Sequence, residues 1–291
     1  SLLSTLRTFY TFKPKTREDI MLLCETINYE ISLVTDWLKI NKLSINTDKT
    51  KYMMIHNHQK QMALYDQIQL KLDGEIIKRT KSFNFLGIVI NEQLNWNNHI
   101  THISNKINPI VGMLHRLKYL LPTHILKMIY NSLILSRLHY GNILWGGRPG
   151  SLIKLNKKAL RAIANVGYNA HTNPIEKKLK LLSLPDIHKL KKYCLYKKYI
   201  DNKLPKYISI MFKNISLDSY PNYPKSIKYR NTIRFELPTF LHTAPDVLMR
   251  KAQIVSYWCF KSNVKKYIIE RYSSLCTITG CSSCLFQMYI P

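Results

Sequence analysis

Acidic residues are scarce in this 291-residue sequence: 17 aspartates and glutamates stand against 44 lysines and arginines, a formal net charge of +27. Such a one-sided surface repels itself unless it meets a polyanion. The scarcity therefore favours nucleic acid as a partner, with an anionic membrane surface as the second candidate. Between Glu92 and Glu176 there is no acidic residue at all, so the basic side chains of that stretch have no neighbouring acid in the sequence.

Long apolar runs are also missing. No uninterrupted run reaches the roughly 18 residues of a membrane-spanning helix, and the opening stretch SLLSTLRTFY lacks the apolar centre of a signal peptide. The hydrophobic content of 46% is nevertheless enough to bury a core. The six cysteines are too sparse for a disulfide framework. We therefore expect a soluble intracellular protein with reduced thiols, in the nucleus or the cytoplasm.

Motifs for catalysis and metal binding are absent as well. Two-metal nucleotidyl transfer needs clustered carboxylates, and the sequence contains no Asp-Asp pair. There is no glycine-rich phosphate loop and no nucleophile elbow. The histidine pairs at 56/58 and 99/102 lack a second pair of ligands, which favours ordinary polar histidines over zinc ligands. We predict no resident cofactor and assign no metal site.

The C-terminal cysteines leave one question open. Cys276, Cys281 and Cys284 offer three thiols, whereas a structural zinc site takes four ligands. The fourth ligand could come from Cys259 or His242. Ordinary reduced thiols are the alternative that the spacing favours.

Apolar spacing predicts an α+β fold that is predominantly helical. Apolar residues recur at three-to-four-residue steps from Ile20 to Leu38, which predicts an amphipathic helix. Lys51 to Ile55 reads as a short strand, and Asp73-Gly74 is a strong signal for a two-residue hairpin turn. The stretch FNFLGIVI, residues 83–90, is apolar enough to predict one buried strand.

The spacing becomes helical from about His99. Three helices are predicted, over residues 99–121 with Pro109 as a kink or break, from Pro122 to near Gly141 or Gly146-Gly147, and over 152–166. Their short connections predict a small antiparallel bundle. Basic helices continue to about Ile200, and DSYPNYPKSIKYRNT reads as a loop or linker. We predict three parts, residues 1–95, 96–170 and 171–291.

Basic and aromatic residues are interleaved in the run KLKKYCLYKKYIDNKLPKY. This mixture suits phosphate contact combined with base or sugar stacking. The alternative is a solvated lysine face whose tyrosines belong to the core, and the acid-free stretch upstream favours nucleic acid. The candidate phosphate contacts are Lys106, Arg116, Lys118, Lys127, Arg137, Lys154, Lys157, Lys158, Arg161, Lys191, Lys192, Lys197 and Lys198.

The order of motifs carries more information than any single motif. A helix ending at Trp37 is followed by NKLSINTDKTKYMMI, a hairpin, FLGIVINEQLNWNNHI and then LILSRLHYGNILWG. This order resembles the downstream part of a reverse transcriptase from a non-LTR (LINE-type, jockey-like) retrotransposon. The resemblance covers residues 1–200 clearly and the remainder more loosely.

The resemblance implies the end of a polymerase palm in residues 1–95, a helical thumb in 96–170 and a basic connector in 171–291. In that family the catalytic aspartates sit in a Tyr-Ala-Asp-Asp hairpin, and Ser1 looks like what directly follows it. We therefore expect a chain that binds primer–template without catalysing on its own, while Mg²⁺ belongs to the intact enzyme. Implied partners are the RNA template, an RNA–DNA or DNA primer–template duplex and the missing fingers and palm. The alternative is a host-adopted or decayed non-catalytic nucleic-acid-binding protein.

The resemblance also assigns roles to single residues. Phe85, Leu86 and Gly87 resemble the primer-grip hairpin, where glycine lets the backbone approach the primer; a plain core strand is the alternative. Lys49 matches the family's Lys-Thr pair, and its ammonium is expected near the phosphates of the incoming nucleotide, where it helps neutralise or protonate pyrophosphate. A solvent-exposed turn lysine is the alternative there. Trp96 and Trp145 are expected to be buried at the ends of the bundle.

Overall fold

A computed structural model describes residues 17–43, 46–47, 50–55, 68–213 and 255–272 of the chain. The chain divides into two compact units, Ser1–Asn98 and His99–Pro291. Short strands and many helices confirm the predicted, predominantly helical α+β class. Among the described residues, no helix combines the length and the apolar character needed to cross a bilayer. Lys49, the predicted linker at 218–232 and the three C-terminal cysteines lie outside the described residues.

The first unit is built on one long helix, α1, which spans Arg17–Ile40. The apolar residue Ile20 of this helix joins Ile68, Leu70, Leu72 and Ile77 in a small buried core. Ile68, Leu70 and Leu72 alternate along the segment that leads into the short strand Lys71–Leu72. Alternate residues of an extended segment point to the same side, so these three side chains face the helix together. The predicted amphipathic helix is confirmed in type and position.

Among the described residues of this unit, six short strands accompany α1. They are β1 (Lys51–Tyr52), β2 (Lys71–Leu72), β3 (Glu75–Ile76), β4 (Lys78–Arg79), β5 (Ser82–Phe85) and β6 (Ile88–Asn91). Strands β1 and β4 pair in parallel, whereas β2 with β3 and β5 with β6 pair antiparallel. The predicted strand from residue 51 to 55 is therefore shorter than expected.

Asn28 of α1 fastens the helix to the β2–β3 hairpin. Its Oδ1 accepts a hydrogen bond from Lys71 N at 2.8 Å, and its Nδ2 donates to Gln69 O at 3.4 Å. The hairpin turns at Asp73 (φ 53°) and Gly74 (φ 86°), both in the left-handed region. Two positive φ angles in succession define the primed turn that matches strand twist, so the predicted hairpin is confirmed.

Residues 83–90 form a second hairpin, not the single buried strand that their apolar character predicts. The register pairs Phe85 with Ile88, which leaves Leu86 (φ 49°) and Gly87 (φ 81°) as a two-residue turn. A leucine rarely adopts positive φ, so the sequence gives little warning of the turn. The side chain of Leu86 is 73% exposed, which places an apolar tip in solvent.

The second unit is helical throughout its described part. Its helices are α2 (Asn97–Leu117), α3 (Thr123–Tyr130), α4 (Ser136–His139), α5 (Asn142–Trp145), α6 (Ser151–Ile163), α7 (Thr172–Leu179), α8 (Leu184–Ile200), α9 (Lys206–Lys213) and α10 (Tyr257–Glu270). A π-helical turn, Asn131–Leu135, joins α3 to α4, so residues 123–139 form one continuous helix. Helix α2 continues through Pro109 and does not end there.

The core of this unit lies where these helices cross. Tyr130, Ile134, Leu138, Trp145 and Phe260 are each fully buried. The indole Nε1 of Trp145 donates to Tyr140 O at 3.0 Å, which satisfies the polar end of a buried ring. Trp145 is thus buried as predicted.

Candidate nucleic-acid interface

Helix α6 separates apolar and basic residues onto opposite faces. Its buried face consists of Leu152, Asn156, Ala159, Leu160, Ala162 and Ile163. Lys154, Lys157, Lys158 and Arg161 follow the spacing i, i+3, i+4, i+7, which places them on one other face of the helix. Lys154 and Lys157 are exposed, while Lys158 and Arg161 are half-buried. We call these four residues the α6 basic stripe.

An exposed tyrosine stands beside this stripe. Tyr168 is 71% exposed, and both Lys158 Nζ and the Arg161 guanidinium carbon lie 5.9 Å from the centroid of its ring. Arg161 Nε also donates to Ala170 O at 2.7 Å, which fixes the guanidinium near the ring. The site therefore combines cations for phosphates with a ring on which a base or sugar can stack.

Sequence reasoning missed Tyr168. The signal available was its position: an aromatic residue in the polar loop NVGYNAHT, directly after a basic helix. An aromatic residue in such a loop is not needed to pack the buried face of the neighbouring helix, so its position indicates a binding role.

The candidate phosphate contacts outside α6 are more dispersed. Lys106 and Arg116 are exposed on α2, and the Ser104 and Ser151 hydroxyls, 3.2 Å apart, join α2 to the first turn of α6 near Lys106. Lys118 Nζ lies 4.7 Å from the centroid of the Tyr119 ring.

Two further candidates lie on the continuous helix of residues 123–139. Lys127 is half-buried, and Arg137 Nη1 donates to the carbonyl of Leu133 at 2.6 Å. This intrahelical bond uses part of the guanidinium, so Arg137 presents fewer donors to a phosphate than the α6 residues do.

Lys197 departs from its predicted role as a phosphate contact. It is 3% exposed and its ammonium is paired with Asp201. The helical period places residue 197 on the same face as the buried Leu190 and Cys194. Its charge is thus satisfied inside the protein, and we leave it out of the interface. Lys191, Lys192 and Lys198 remain at least partly exposed on α8.

A buried acid lies beneath the interface. Glu176 of α7 is 2% exposed, and its Oε2 has no hydrogen-bond partner among the described residues. Burial, followed by the charge of Asp186, raises the pKa of Glu176 to about 7, while Lys157 acts in the opposite direction. Nearby, the Tyr130 hydroxyl donates to Asn156 Oδ1 at 2.8 Å and ties α3 to α6. Desolvation thus leaves this carboxyl half-protonated near neutral pH.

The primer-grip candidates sit at the tip of the β5–β6 hairpin. Phe85 and Leu86 are exposed, and Gly87 occupies the second turn position with positive φ. The hairpin therefore presents an apolar tip, with a glycine that carries no side chain at the second turn position.

The described histidines and acids are not arranged as a metal site. Within them, no group of three or more His, Cys, Asp or Glu side chains is placed to hold a metal ion. His99 packs edge-on against Trp145, with ring centroids 5.8 Å apart. Burial, then the charges of His102 and Lys106, lowers the pKa of His99 to about 4. This histidine is neutral at physiological pH and belongs to the core.

Comparison with known proteins gives one partial relationship. No family model matches the chain, and no solved structure matches it. Over 127 residues, 40% of this chain, the sequence is 28% identical to the RNA-directed DNA polymerase from mobile element jockey of Drosophila melanogaster. The aligned segment spans 14% of that protein's length. Part of this chain is therefore related to the RNA-directed DNA polymerase of a mobile element.

Proposed function

We propose that this chain is the C-terminal part of a non-LTR retrotransposon reverse transcriptase and that it holds the primer–template duplex. The observation that carries the proposal is the α6 basic stripe beside the exposed ring of Tyr168. The similarity to a mobile-element polymerase supports it independently. The partners are the RNA template and an RNA–DNA or DNA duplex.

The stripe suits a grip that does not read sequence. Lysine and arginine contacts to phosphate position a protein on a duplex but carry no base information. A polymerase must hold every sequence that it copies, so such contacts fit its needs. The segment between Glu92 and Glu176 contains no acid, and its cations therefore compete with few internal partners.

The hairpin tip is the second contact in this proposal. Leu86 packs against the primer strand while Gly87 lets the backbone approach it closely. Lys49, outside the described residues, keeps its proposed role beside the phosphates of the incoming nucleotide.

Catalysis needs groups that the described residues do not supply. The sequence has no Asp-Asp pair, and the described side chains form no cluster of three metal ligands. They do not fit a Mg²⁺ centre. We propose that the carboxylates that hold Mg²⁺ belong to the remainder of the polymerase.

A salt series of nucleic-acid binding tests the proposal. The purified chain is titrated into a labelled RNA–DNA hybrid at several salt concentrations. Each phosphate contact contributes about 0.9 to the slope of log affinity against log salt, because bound counterions are released. The variant Lys154→Gln/Lys157→Gln/Lys158→Gln is expected to lower that slope by roughly 2 to 3 and the affinity by more than about tenfold.

The matched control removes three charges from the other unit. Lys51, Lys71 and Lys78 lie exposed on β1, β2 and β4, and their triple glutamine variant changes the net charge equally. It is expected to keep most of the slope. Equal losses in both triple variants, or no binding of the hybrid by the folded parent chain at low salt, would refute the proposal.

A further inference from the structure

Helices α8 and α10 pack against each other in antiparallel orientation. The Tyr272 hydroxyl, just after α10, accepts from Ser183 N at 3.0 Å and donates to Asp186 Oδ2 at 2.6 Å, at the start of α8. At the start of α10, Tyr257 is hydrogen-bonded to the thiol of Cys194 in the second half of α8. The two ends therefore fix the direction of one helix against the other.

This packing brings four lysines together. Lys191 and Lys198 are seven residues apart on α8, and Lys261 and Lys265 are four residues apart on α10, so each pair shares a helix face. Lys191, Lys198 and Lys261 each lie close enough to Cys194 to act on its thiol. We call the four residues the α8–α10 lysine cluster.

None of these four lysines has a described carboxylate within 4.0 Å. Among the described residues, the acids near the cluster are paired with other lysines. These ion pairs are Asp186 with Lys189, Asp201 with Lys197 and Lys203, and Glu270 with Lys266. An anionic ligand would therefore meet lysines that no described carboxylate neutralises.

Burial and the charges of the cluster lower the pKa values of nearby basic groups. Burial, then Lys261 and Lys198, lowers the pKa of Lys191. Burial, followed by Lys191, Lys261 and Lys265, lowers the pKa of His139 at the end of α4 to about 4. Mutual repulsion of this kind is relieved when an anion binds.

An exposed indole and a half-buried phenol ring border the cluster. Trp258 is 73% exposed, and Lys261 Nζ lies 5.1 Å from the centroid of its ring. Lys198 Nζ lies 5.7 Å from the ring of Tyr257, which in turn contacts Trp258 edge-on at 5.6 Å. An indole ring in solvent next to cations is the arrangement on which unpaired bases stack.

We propose that the α8–α10 lysine cluster and Trp258 form a binding site for single-stranded nucleic acid, with phosphates on the lysines and a base on the indole. A duplex can offer phosphates and sugars, which are the contacts left to the α6 basic stripe and Tyr168, but its base faces are already covered by stacking within the helix. A base on the indole of Trp258 therefore comes from a single strand. The site goes beyond the duplex grip of the α6 basic stripe and uses different residues.

Binding of two labelled ligands to the full chain tests this site. One ligand is a single-stranded RNA of about 12 nucleotides, and the other is an RNA–DNA hybrid of the same length. Trp258→Leu is expected to weaken RNA binding by about 5-fold to about 100-fold, the effect of losing one stacked base, and to leave hybrid binding unchanged. The matched control, Tyr168→Leu, is expected to weaken hybrid binding and spare the single strand.

A charge series separates the two surfaces. Lys191→Gln/Lys261→Gln is expected to flatten the salt slope for single-stranded RNA by roughly 1.4, at about 0.7 for each phosphate contact. Lys154→Gln/Lys157→Gln removes the same charge from α6 and is expected to leave that slope nearly intact. Equal flattening by both pairs would overturn the site, as would parental RNA affinity in folded Trp258→Leu.

Two further results keep the outcomes distinct. Cluster-dependent binding to phosphatidylserine vesicles without binding to RNA would overturn the proposal in favour of a membrane contact. Loss of RNA binding in Trp258→Leu alongside no hybrid binding by any variant would support this site while refuting the duplex grip. Thermal unfolding of each variant checks that it is folded. Trp258 is exposed and Lys191 is half-buried, so replacing either residue is expected to leave the fold intact.

Discussion

The Tyr272 hydroxyl lies 2.6 Å from Asp186 Oδ2 and joins two residues that are 86 positions apart. The hydroxyl oxygen of Tyr272 also accepts a hydrogen bond from the backbone N–H of Ser183, the residue that caps α8. Burial alone would raise the pKa of Asp186, but hydrogen bonds from Ser183, Tyr272 and Lys189 outweigh it and lower that pKa. One phenol thus serves as the fastening between α10 and the beginning of α8.

Replacing this phenol tests the fastening. Tyr272→Phe removes a donor to a carboxylate and leaves Ser183 N without its acceptor, which is expected to cost about 1 to 3 kcal/mol of unfolding free energy. Urea unfolding measures the change. Tyr267→Phe removes a hydroxyl from α10, five residues earlier in the sequence, and is the control, with an expected loss below about 0.5 kcal/mol. Equal losses in the two variants would show that the Tyr272 hydroxyl has no special role.

Stability is expected to depend on pH through Glu176. Its pKa is about 7 in the folded chain against 4.5 for the ordinary carboxyl, so the folded state binds the proton more tightly than the unfolded state. Its contribution to stability is therefore present below pH 4.5 and is lost as pH rises to about 7, a difference on the order of 3 kcal/mol. Glu176→Gln is expected to be more stable than the parent at pH 8.

Urea unfolding at several pH values between 5 and 8 measures this effect. Burial lowers the pKa values of His99 and His139 to about 4, so these histidines add stability as pH rises over part of this range, and the parent alone does not isolate the carboxyl. The stability of Glu176→Gln should rise relative to that of the parent as pH increases. Glu25→Gln, which changes an exposed carboxyl on α1, is expected to keep the parental pH dependence. If Glu176→Gln also keeps it, the buried carboxyl is not its source.

A pair of glycines gives a test of packing with its own control. A Cβ on Gly146 would lie 2.5 Å from both Asn142 O and Asn142 Oδ1 and 2.7 Å from His188 Nδ1. Such contacts force the α5 end apart from α8, so Gly146→Ala is expected to cost more than about 2 kcal/mol. A Cβ on Gly112 meets nothing within 4 Å. Gly112→Ala within α2 is therefore expected to stabilise by up to about 1 kcal/mol.

Thermal and urea unfolding of both alanine variants checks this contrast. The prediction concerns the sign of the difference as well as its size. A Gly146→Ala chain as stable as the parent would mean that the close approach of α5 and α8 relaxes freely.

The hairpin tip is expected to matter for binding and not for folding. Leu86→Ala removes an exposed apolar side chain, so the unfolding free energy should change little. If the tip contacts the primer, hybrid affinity should fall by about 1 kcal/mol, roughly fivefold, from lost apolar contact. Ile76→Ala on β3, where the side chain is 61% exposed, is the control and should bind as the parent does. Unchanged affinity in Leu86→Ala would remove the tip from the interface.

Helices with long apolar periods were predictable from the sequence because burial demands that period. The helix of the first unit and the succession of helices from residue 97 onward follow from it. The Asp73-Gly74 turn was also predictable, because both residues tolerate positive φ. The apolar pattern of residues 83–90 gave no comparable signal and predicted one strand, whereas the resemblance of Phe85, Leu86 and Gly87 to a primer-grip hairpin implied a turn where one exists.

Other features depend on tertiary contacts that no local pattern reveals. Helix α10 was missed, although Phe260, Val264 and Ile268 recur at four-residue steps and would have indicated it. The sequence pattern predicts Lys197 to be a surface cation, whereas Asp201, one helical turn later, neutralises it inside the protein. The cluster of Lys191, Lys198, Lys261 and Lys265 exists only because two distant helices pack, and the sequence shows its members merely as parts of separate basic runs.

The antiparallel packing of α8 against α10 is expected to hold the two helices together even when the peptide chain between them is cut. The two helices are held by buried side chains and by the Tyr272 and Tyr257 hydroxyls, and none of these contacts requires an intact peptide chain between them. A single proteolytic cut between residues 213 and 255 is therefore expected to leave two polypeptides that copurify and unfold together. The second unit would behave as one cooperative body assembled from two pieces.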